Sequence, residues 1–253
     1  MRHELVRRWA VCFLLAGLAG CSTTGEGKRG GDEELSRTGD ANVRLAQTYL
    51  SAGKLELAAD RAERAIRSDP SSAQAHVVMG MVLGRLDEDA RAGEHFLRAA
   101  KLSPGDGFVN NAAGVWLCEH GRAAEADPYF ARGVDDLVFQ QRAQLFHNAG
   151  KCAASNGDLA GAERYLRGGL NIAADDRHLL EQMVRVKLAQ GDALSARAFL
   201  QRREALAPLG TDMLGLAVQI EERAGDAAAA QRYRQQLSNQ PPAATYPANG
   251  SQP

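Results

Sequence analysis

Residues 73–106, AQAHVVMGMVLGRLDEDARAGEHFLRAAKLSPGD, hold two apolar segments of helical period joined by a short polar turn around Asp87. Glycines stand at the equivalent turn position at residues 53, 121, 157, 191 and 225. With Asp87 included, successive turn positions are 34, 34, 36, 34 and 34 residues apart. This period predicts six helix-turn-helix units, each of which must stack on its neighbours to bury its apolar face.

The residue types at recurring positions give this prediction a mechanical basis. A small residue in the first helix, such as Gly80 or Gly114, lets the two helices of a unit approach closely. A turn glycine ends the first helix in a conformation that is costly for other residues. Pro70 and Pro104 stop the second helix, since proline cannot continue its hydrogen-bond ladder. These features are typical of tetratricopeptide repeats (TPRs), so we expect an all-α, right-handed superhelical solenoid of six repeats over residues 39–237.

The N-terminus has the features of a bacterial export signal. Arg2, Arg7 and Arg8 precede an apolar run over residues 9–19 that is too short to span a bilayer. The run ends in Leu18-Ala19-Gly20-Cys21, which resembles a lipobox, so residues 1–20 are expected to be removed and Cys21 to be acylated. In lipoproteins of this kind, Ser22 after the cysteine favours the outer membrane. The alternative is an ordinary signal peptide that happens to be followed by a cysteine.

Two segments outside the repeats lack apolar periodicity. Residues 21–38 are rich in Gly, Ser, Thr and charge and are expected to form a flexible tether behind the lipidated cysteine. Residues 238–253, SNQPPAATYPANGSQP, are expected to form a disordered tail.

The charge balance narrows the choice of partners. The net charge of the whole chain is −1, and loss of three arginines and one glutamate with residues 1–20 leaves −3. Without a basic excess, nothing in the sequence indicates a nucleic-acid partner. Membrane attachment would depend on the lipid anchor.

The cysteines divide by position. Cys12 leaves with the signal and Cys21 carries lipid, so Cys118 and Cys152 remain in an oxidising compartment. The simplest expectation is a disulfide between them. The alternative is a pair of buried free thiols.

No pattern in the sequence indicates catalysis. The five histidines of the repeats fall at different repeat positions and share no common face, and HExxH, paired CxxC and GxSxG patterns are absent from the sequence. We therefore expect neither an enzyme, nor a metal or other cofactor, nor a small-molecule substrate.

The first helices of stacked TPRs line an inner groove. The groove positions carry mainly apolar residues and lack the Lys, Asn and Arg set that clamps a peptide terminus. The predicted partner-binding residues are Val43, Gln47, Leu50, Val77, Met81, Phe108, Asn111 and Val115. An apolar groove of this kind suits the hydrophobic face of an amphipathic helix. The alternative is that these side chains only pack between adjacent first helices.

The two repeats that flank the 36-residue step carry a more specific resemblance. Asn110-Asn111, Gly114, Leu117-Cys118 and Gly121-Arg122 are followed by Asn148-Ala149-Gly150-Lys151-Cys152. Together with their flanking repeats they resemble the type IV pilus biogenesis and stability lipoproteins, the pilotins of the PilF/PilW type. The chain departs from that pattern at Ala112-Ala113, where a bulky residue is usual, and at Asp87.

The resemblance implies a function that composition and spacing do not. Pilotins carry the secretin subunit to the outer membrane and promote its assembly into the ring through which the pilus passes. The expected partners are therefore the type IV pilus secretin and, through lipid, the outer membrane. The alternative is a TPR lipoprotein adaptor for outer-membrane protein assembly or for cell-wall enzymes.

Overall fold

The computed structural model describes residues 26–240, and over that range it contains twelve α-helices and no strand. The helices form six helix-turn-helix pairs. The first helices of the pairs are α1 (Glu26–Ser51), α3 (Ala73–Arg85), α5 (Gly107–Glu119), α7 (Arg142–Ser155), α9 (Arg177–Ala189) and α11 (Thr211–Arg223). The second helices are α2 (Leu55–Ser68), α4 (Asp89–Leu102), α6 (Ala123–Val134), α8 (Leu159–Ile172), α10 (Ala193–Glu204) and α12 (Ala227–Ser238).

The pairs stack in chain order. Each helix packs on the next one along the chain, and every first helix also contacts the first helix of the following repeat, from α1 against α3 to α9 against α11. The first helices therefore form one continuous layer. This arrangement confirms the all-α solenoid that the repeat period predicts.

The turns within repeats adopt the left-handed conformation that the sequence predicts. Gly121 has a φ of 71°, and Asp87, at the equivalent turn of repeat two, has a φ of 61°. The turn then closes on the preceding helix, because the Glu88 amide donates to the Leu83 carbonyl at 2.9 Å. Asp87 therefore substitutes for glycine in structure as well as in sequence, at some cost in conformational energy.

Small residues bring the two helices of a repeat together. A Cβ added to Gly80 would lie 2.9 Å from the Phe96 ring, and one added to Gly114 would lie 2.7 Å from the Phe130 ring. Buried alanines such as Ala99 and Ala126 fill the remaining space. In repeats two and three, the two helices of each repeat therefore meet where a phenylalanine ring packs against a glycine.

Helix α1 begins earlier than predicted. It starts at Glu26, so residues 26–38, which belong to the predicted flexible tether 21–38, are helical. No proline interrupts this segment, and extending a helix that is already anchored by packing is easier than nucleating one. The signal segment 1–20, Cys21 and residues 241–253 of the predicted tail lie outside the described residues.

The extra residues of the 36-residue step lie in the connection between α6 and α7, residues 135–141. The Asp136 carboxylate accepts the Gly107 amide at 2.8 Å and the Val138 amide at 3.1 Å. These bonds lower the pKa of Asp136, because they stabilise the charged carboxylate. The connection is therefore pinned to the start of α5.

Candidate protein-binding groove

The layer of first helices contains an apolar cavity where α3, α5 and α7 meet. Its volume is about 300 Å³. It is lined by Met81, Phe96, Phe108, Asn111, Ala112, Val115, Trp116, Glu119 and Asn148. Four of the predicted groove residues (Met81, Phe108, Asn111 and Val115) thus line one cavity, and all four are half-buried.

A second cavity of about 190 Å³ adjoins the first and shares Val115, Glu119 and Asn148 with it. Cys118 and Cys152 line this second cavity, together with Lys151 and Ser155. We call the two cavities together the central groove. Its floor is apolar, and Glu119 and Lys151 place opposite charges at its second cavity.

Trp116 forms one wall of the central groove. Its indole packs over Gly93 of α4, where an added Cβ would lie 2.2 Å from a ring carbon. His120 stacks on the indole at 4.5 Å between ring centroids, and the Arg122 guanidinium lies 5.7 Å from the ring. The indole Nε1 is buried and has no hydrogen-bond partner among the described residues.

A row of amides crosses the groove between α5 and α7. The Asn148 amide nitrogen donates to the Asn111 side-chain oxygen at 2.9 Å, and Gln144 donates to the Asn148 oxygen at 2.9 Å. This row offers polar atoms beside an apolar floor, which is the usual composition of a binding site.

Five residues that line the first cavity were not predicted from the sequence: Phe96, Ala112, Trp116, Glu119 and Asn148. Asn148 was visible as part of the Asn148-Ala149-Gly150 block, and that signal could have placed it in the groove. Trp116 carried no such signal, because its repeat position is not one of the expected groove positions. Its place depends on Gly93, which leaves room for the indole on a different helix.

Two predicted groove residues, Val43 and Val77, do not line the central groove. Val77 is 0% exposed and offers no surface to a partner, and Val43, at the edge of the polar cavity that contains Gln47, is only 3% exposed. Their positions on α1 and α3 face neighbouring helices and contribute to the same apolar core. For Val77 the structure agrees with the packing alternative.

The other two N-terminal predictions lie apart from the central groove. Gln47 is exposed and lines a separate polar cavity of about 510 Å³ with Asp40, Arg44 and Gln74. Leu50 is half-buried and packs against the core of the first repeats. Neither residue lines the cavity that contains Met81.

The predicted disulfide is present between Cys118 of α5 and Cys152 of α7. The two Cα atoms are 5.8 Å apart, although the residues occupy different repeat positions. Cys152 is buried and Cys118 is half-buried against the groove. The bond ties the first helices of repeats three and four together beneath the second cavity.

Four histidines meet in two pairs that sequence positions did not predict. His76 and His95 approach through their Nδ1 atoms at 2.9 Å, and the rings of His147 and His178 lie 5.9 Å apart. Burial lowers the pKa of His76, His95 and His147, because desolvation disfavours the charged ring. Over residues 26–240 no group of three or more His, Cys, Asp or Glu residues is placed to hold a metal ion.

The same part of the chain contains no helix with the length and apolarity that a membrane crossing requires.

The chain is similar in sequence to a type IV pilus assembly protein. No protein-family model matches the chain. The type IV pilus assembly protein PilF of Pseudomonas aeruginosa strain PAO1 is 28% identical over 198 residues, which cover 76% of this chain and 77% of that protein.

Three solved structures share the fold. The crystal structure of PilW, described as a widely conserved type IV pilus biogenesis factor, superposes with a TM-score of 0.70 at 27% identity, covering 79% of this chain and 92% of PilW. The structure of Pseudomonas aeruginosa PilF gives a TM-score of 0.71 at 24% identity, and the match covers 82% of this chain and 92% of PilF. YrrB, a TPR protein, gives 0.53 at 17% identity, covering 82% and 97%, and this likeness shows the fold alone.

The sequence and structural similarities agree along most of the described solenoid. The chain is homologous to PilF and shares the fold of PilW and PilF, TPR-containing proteins of type IV pilus biogenesis.

Proposed function

We propose that the chain acts in type IV pilus biogenesis as an outer-membrane lipoprotein that binds the pilus secretin and promotes its localisation and multimerisation. The observation that carries the proposal is the apolar central groove in a chain homologous to a type IV pilus assembly protein. The groove is the binding face, and lipid on Cys21 is the anchor.

The groove chemistry supports a protein partner over a small molecule. Met81, Phe108 and Val115 come from two helices and expose apolar surface side by side. Methionine and aromatic side chains adapt to the apolar face of an amphipathic helix. The amide row of Asn111 and Asn148 would contact the polar edge of that helix.

The lipobox supports the localisation. A solenoid anchored by acyl chains would be held at the membrane while its groove engages the secretin subunit. Replacing Cys21 with Ser should move the protein out of the outer-membrane fraction. It should also reduce the amount of heat-resistant secretin multimer found there.

Site-specific crosslinking in cells tests the binding face directly. A photoreactive residue at Met81 in the full-length protein should crosslink to the secretin. The same residue at Leu194 of α10, which is 69% exposed and outside the groove, is the matched control and should not. Recovery of a cell-wall hydrolase or an outer-membrane insertase subunit at position 81, without secretin, would contradict the proposal and favour the adaptor alternative.

Deletion of the gene provides an independent readout. Normal amounts of heat-resistant secretin multimer in the outer membrane of the deletion strain would refute the proposed function, whatever the crosslinking result.

A further inference from the structure

His76 of α3 and His95 of α4 lie within one repeat and face each other across the interface between its two helices. Their Nδ1 atoms are 2.9 Å apart and their ring centroids 5.1 Å apart. His76 is 9% exposed, so water cannot readily replace its ring partner. Neither ring is used by the central groove described above.

The surroundings determine which nitrogen carries hydrogen. The other nitrogen of His76, Nε2, lies 3.4 Å from the Pro70 carbonyl oxygen, which can only accept. Nε2 is therefore the protonated nitrogen of neutral His76, and its Nδ1 is the acceptor. It follows that His95 Nδ1 donates to His76 Nδ1.

The hydrogen bond between His76 and His95 survives the addition of one proton to the pair but not of two. A proton added to His95 Nε2 leaves the donated hydrogen bond in place and makes it charge-assisted. A second proton can go only to His76 Nδ1, which puts two N–H groups against each other at 2.9 Å. The bond is then lost and two like charges face each other in a partly buried site.

The neighbouring charges oppose the second proton. Among charged groups in the described part of the chain, those that shift the pair are Arg91, Glu94 and Arg98, all on α4. Burial is the main cause of the lowered pKa of both rings, and the Arg98 and Arg91 cations lower the pKa of His76 and His95 further. The Pro70 carbonyl raises the pKa of His76 more than Arg98 lowers it, and Glu94 raises the pKa of His95 less than Arg91 lowers it, but burial outweighs both.

The pair is mechanically connected to the groove. Phe96 follows His95 directly and packs on Gly80, one helical turn after His76. Phe96 also lines the cavity that contains Met81. Separation of α3 from α4 at the histidines would therefore disturb that wall of the cavity.

We propose that His76 and His95 form a proton-sensitive latch that holds α3 to α4 while the pair carries at most one extra proton and releases them when it takes up a second. The physical requirement is that the unfolded chain binds more protons than the folded one. The latch then contributes its full stabilisation above the unfolded histidine pKa of about 6.5, and this contribution falls as the pH drops below that pKa. For each excess proton, the unfolding equilibrium constant rises up to tenfold per pH unit in that window.

Urea unfolding of the mature chain between pH 8 and 5 tests the latch. His95→Gln keeps a side chain that can either donate to or accept from His76, and it removes one titrating ring. Between pH 6.5 and 5, the wild type should lose stability more steeply than His95→Gln. For each pH unit, its unfolding equilibrium constant should rise by up to tenfold more than that of the variant. His178→Gln removes an exposed ring from the other histidine pair and is the matched control; it should change the slope much less than His95→Gln does.

Imidazole ¹⁵N chemical shifts provide a second readout that does not depend on stability differences between variants. On acidification, His95 should protonate before His76, and His76 Nδ1 should remain an acceptor through the first step. Equal slopes for wild type and His95→Gln would overturn the proposal, as would simultaneous protonation of both rings near pH 6.5 in the folded protein. A loss of neutral-pH stability on addition of EDTA would assign the pair to a metal ion instead.

Discussion

The first three repeats and the last three are held together by different interactions. Both regions pack glycines against aromatic rings, as Gly80 does against Phe96 in repeats one to three (α1–α6) and Gly168 against Phe146 in repeat four. Repeats four to six, α7–α12, contain buried charges: Lys187 is 7% exposed, Arg203 is 6% and Glu221 is 4%. The central groove is formed where α3 and α5 of the first region meet α7, the first helix of the second region.

The buried charges of the second region are all paired. Lys187 Nζ lies 2.8 Å from Glu163, Arg203 Nε lies 2.6 Å from Glu181, and Arg197 pairs with Glu221. Two of these pairs join neighbouring helix pairs, α8 with α9 and α10 with α11. A buried ion pair contributes little net stability but is costly to break. Within the described residues, the two regions therefore differ in their buried ion pairs, whereas close packing against glycines is common to both.

The two regions should also differ in their response to acid. The Lys187 ammonium, with Arg167 and Gln190, lowers the pKa of Glu163 to about 2. The ordinary histidine pKa is about 6.5, and burial lowers the pKa of His76 and His95 from it. The first region should therefore loosen on mild acidification while the ion pairs of the second persist.

The largest expected effect is at the seam between the regions. Replacing Cys118 and Cys152 with Ser removes the bond between α5 and α7, which closes a 34-residue separation. The chain-entropy account gives a loss of about 3–4 kcal/mol in the free energy of unfolding. Urea unfolding of the variant should show this loss of stability. Two separate transitions in the variant, in place of one in the wild type, would show that the disulfide couples the two regions.

Breaking a charge pair in the second region should cost nearly as much. Glu163→Ala leaves the buried Lys187 ammonium with only Asp192, at 3.8 Å, and should destabilise the fold by about 3 kcal/mol. The control is Glu222→Ala, which breaks an exposed pair with Arg234 and should cost less than about 1 kcal/mol. Equal losses for both variants would contradict the proposed role of burial.

The same carboxylate predicts a pH dependence. Because its folded pKa is about 2 and lies below the unfolded value, Glu163 stabilises the fold above about pH 4.5. That contribution is lost as the pH falls toward 2, since the unfolded chain binds the proton first. In thermal scans between pH 5 and 2, Glu163→Gln should show a shallower loss of stability than the wild type.

Shape matching in the first region is tested by a pair of glycines. Gly93→Ala would place its Cβ 2.2 Å from the Trp116 indole and should destabilise by about 2 kcal/mol through overpacking. Gly215→Ala in α11 has no atom within 4 Å of the added Cβ and should stabilise by about 0.5–1 kcal/mol through helix propensity. Calorimetric melting temperatures should move in opposite directions, and a shared direction would contradict the comparison.

The smallest expected effect is at a turn of the first region. Asp87 holds a φ of 61° at a position where other repeats have glycine. Asp87→Gly should relieve that conformation and stabilise by about 0.5 kcal/mol, partly offset by the greater freedom of the unfolded chain. A measured loss of stability would show that the aspartate side chain makes a compensating contact.

Much of the fold was predictable because its determinants are local. The turn residues at Gly121 and Gly157 and the small residue at Gly80 act on their own helix pair, so a 34-residue period reveals them. The start of α1 was not predictable in this way. Residues 26–38 lack apolar periodicity, and their helix extends from a packed segment rather than forming by its own preference.

The groove was only partly predictable. Met81, Phe108, Asn111 and Val115 were found from repeat positions, because first helices stack in a regular layer. Val43 and Val77 do not line the central groove, since the same positions are buried where neighbouring helices approach closely. Trp116 was missed because its direction depends on the space above Gly93, a residue of another helix.

The sequence by itself determined the repeat number, the turn positions and the cysteines that could pair, because each follows from residue spacing and local backbone preference. Only the tertiary structure decided which apolar side chains face a cavity and which face a helix. It also decided that His76 meets His95 and that Lys187 meets Glu163. The physical reason is that these contacts join separate helices, whose relative positions depend on the packing of the whole repeat and not on any single segment.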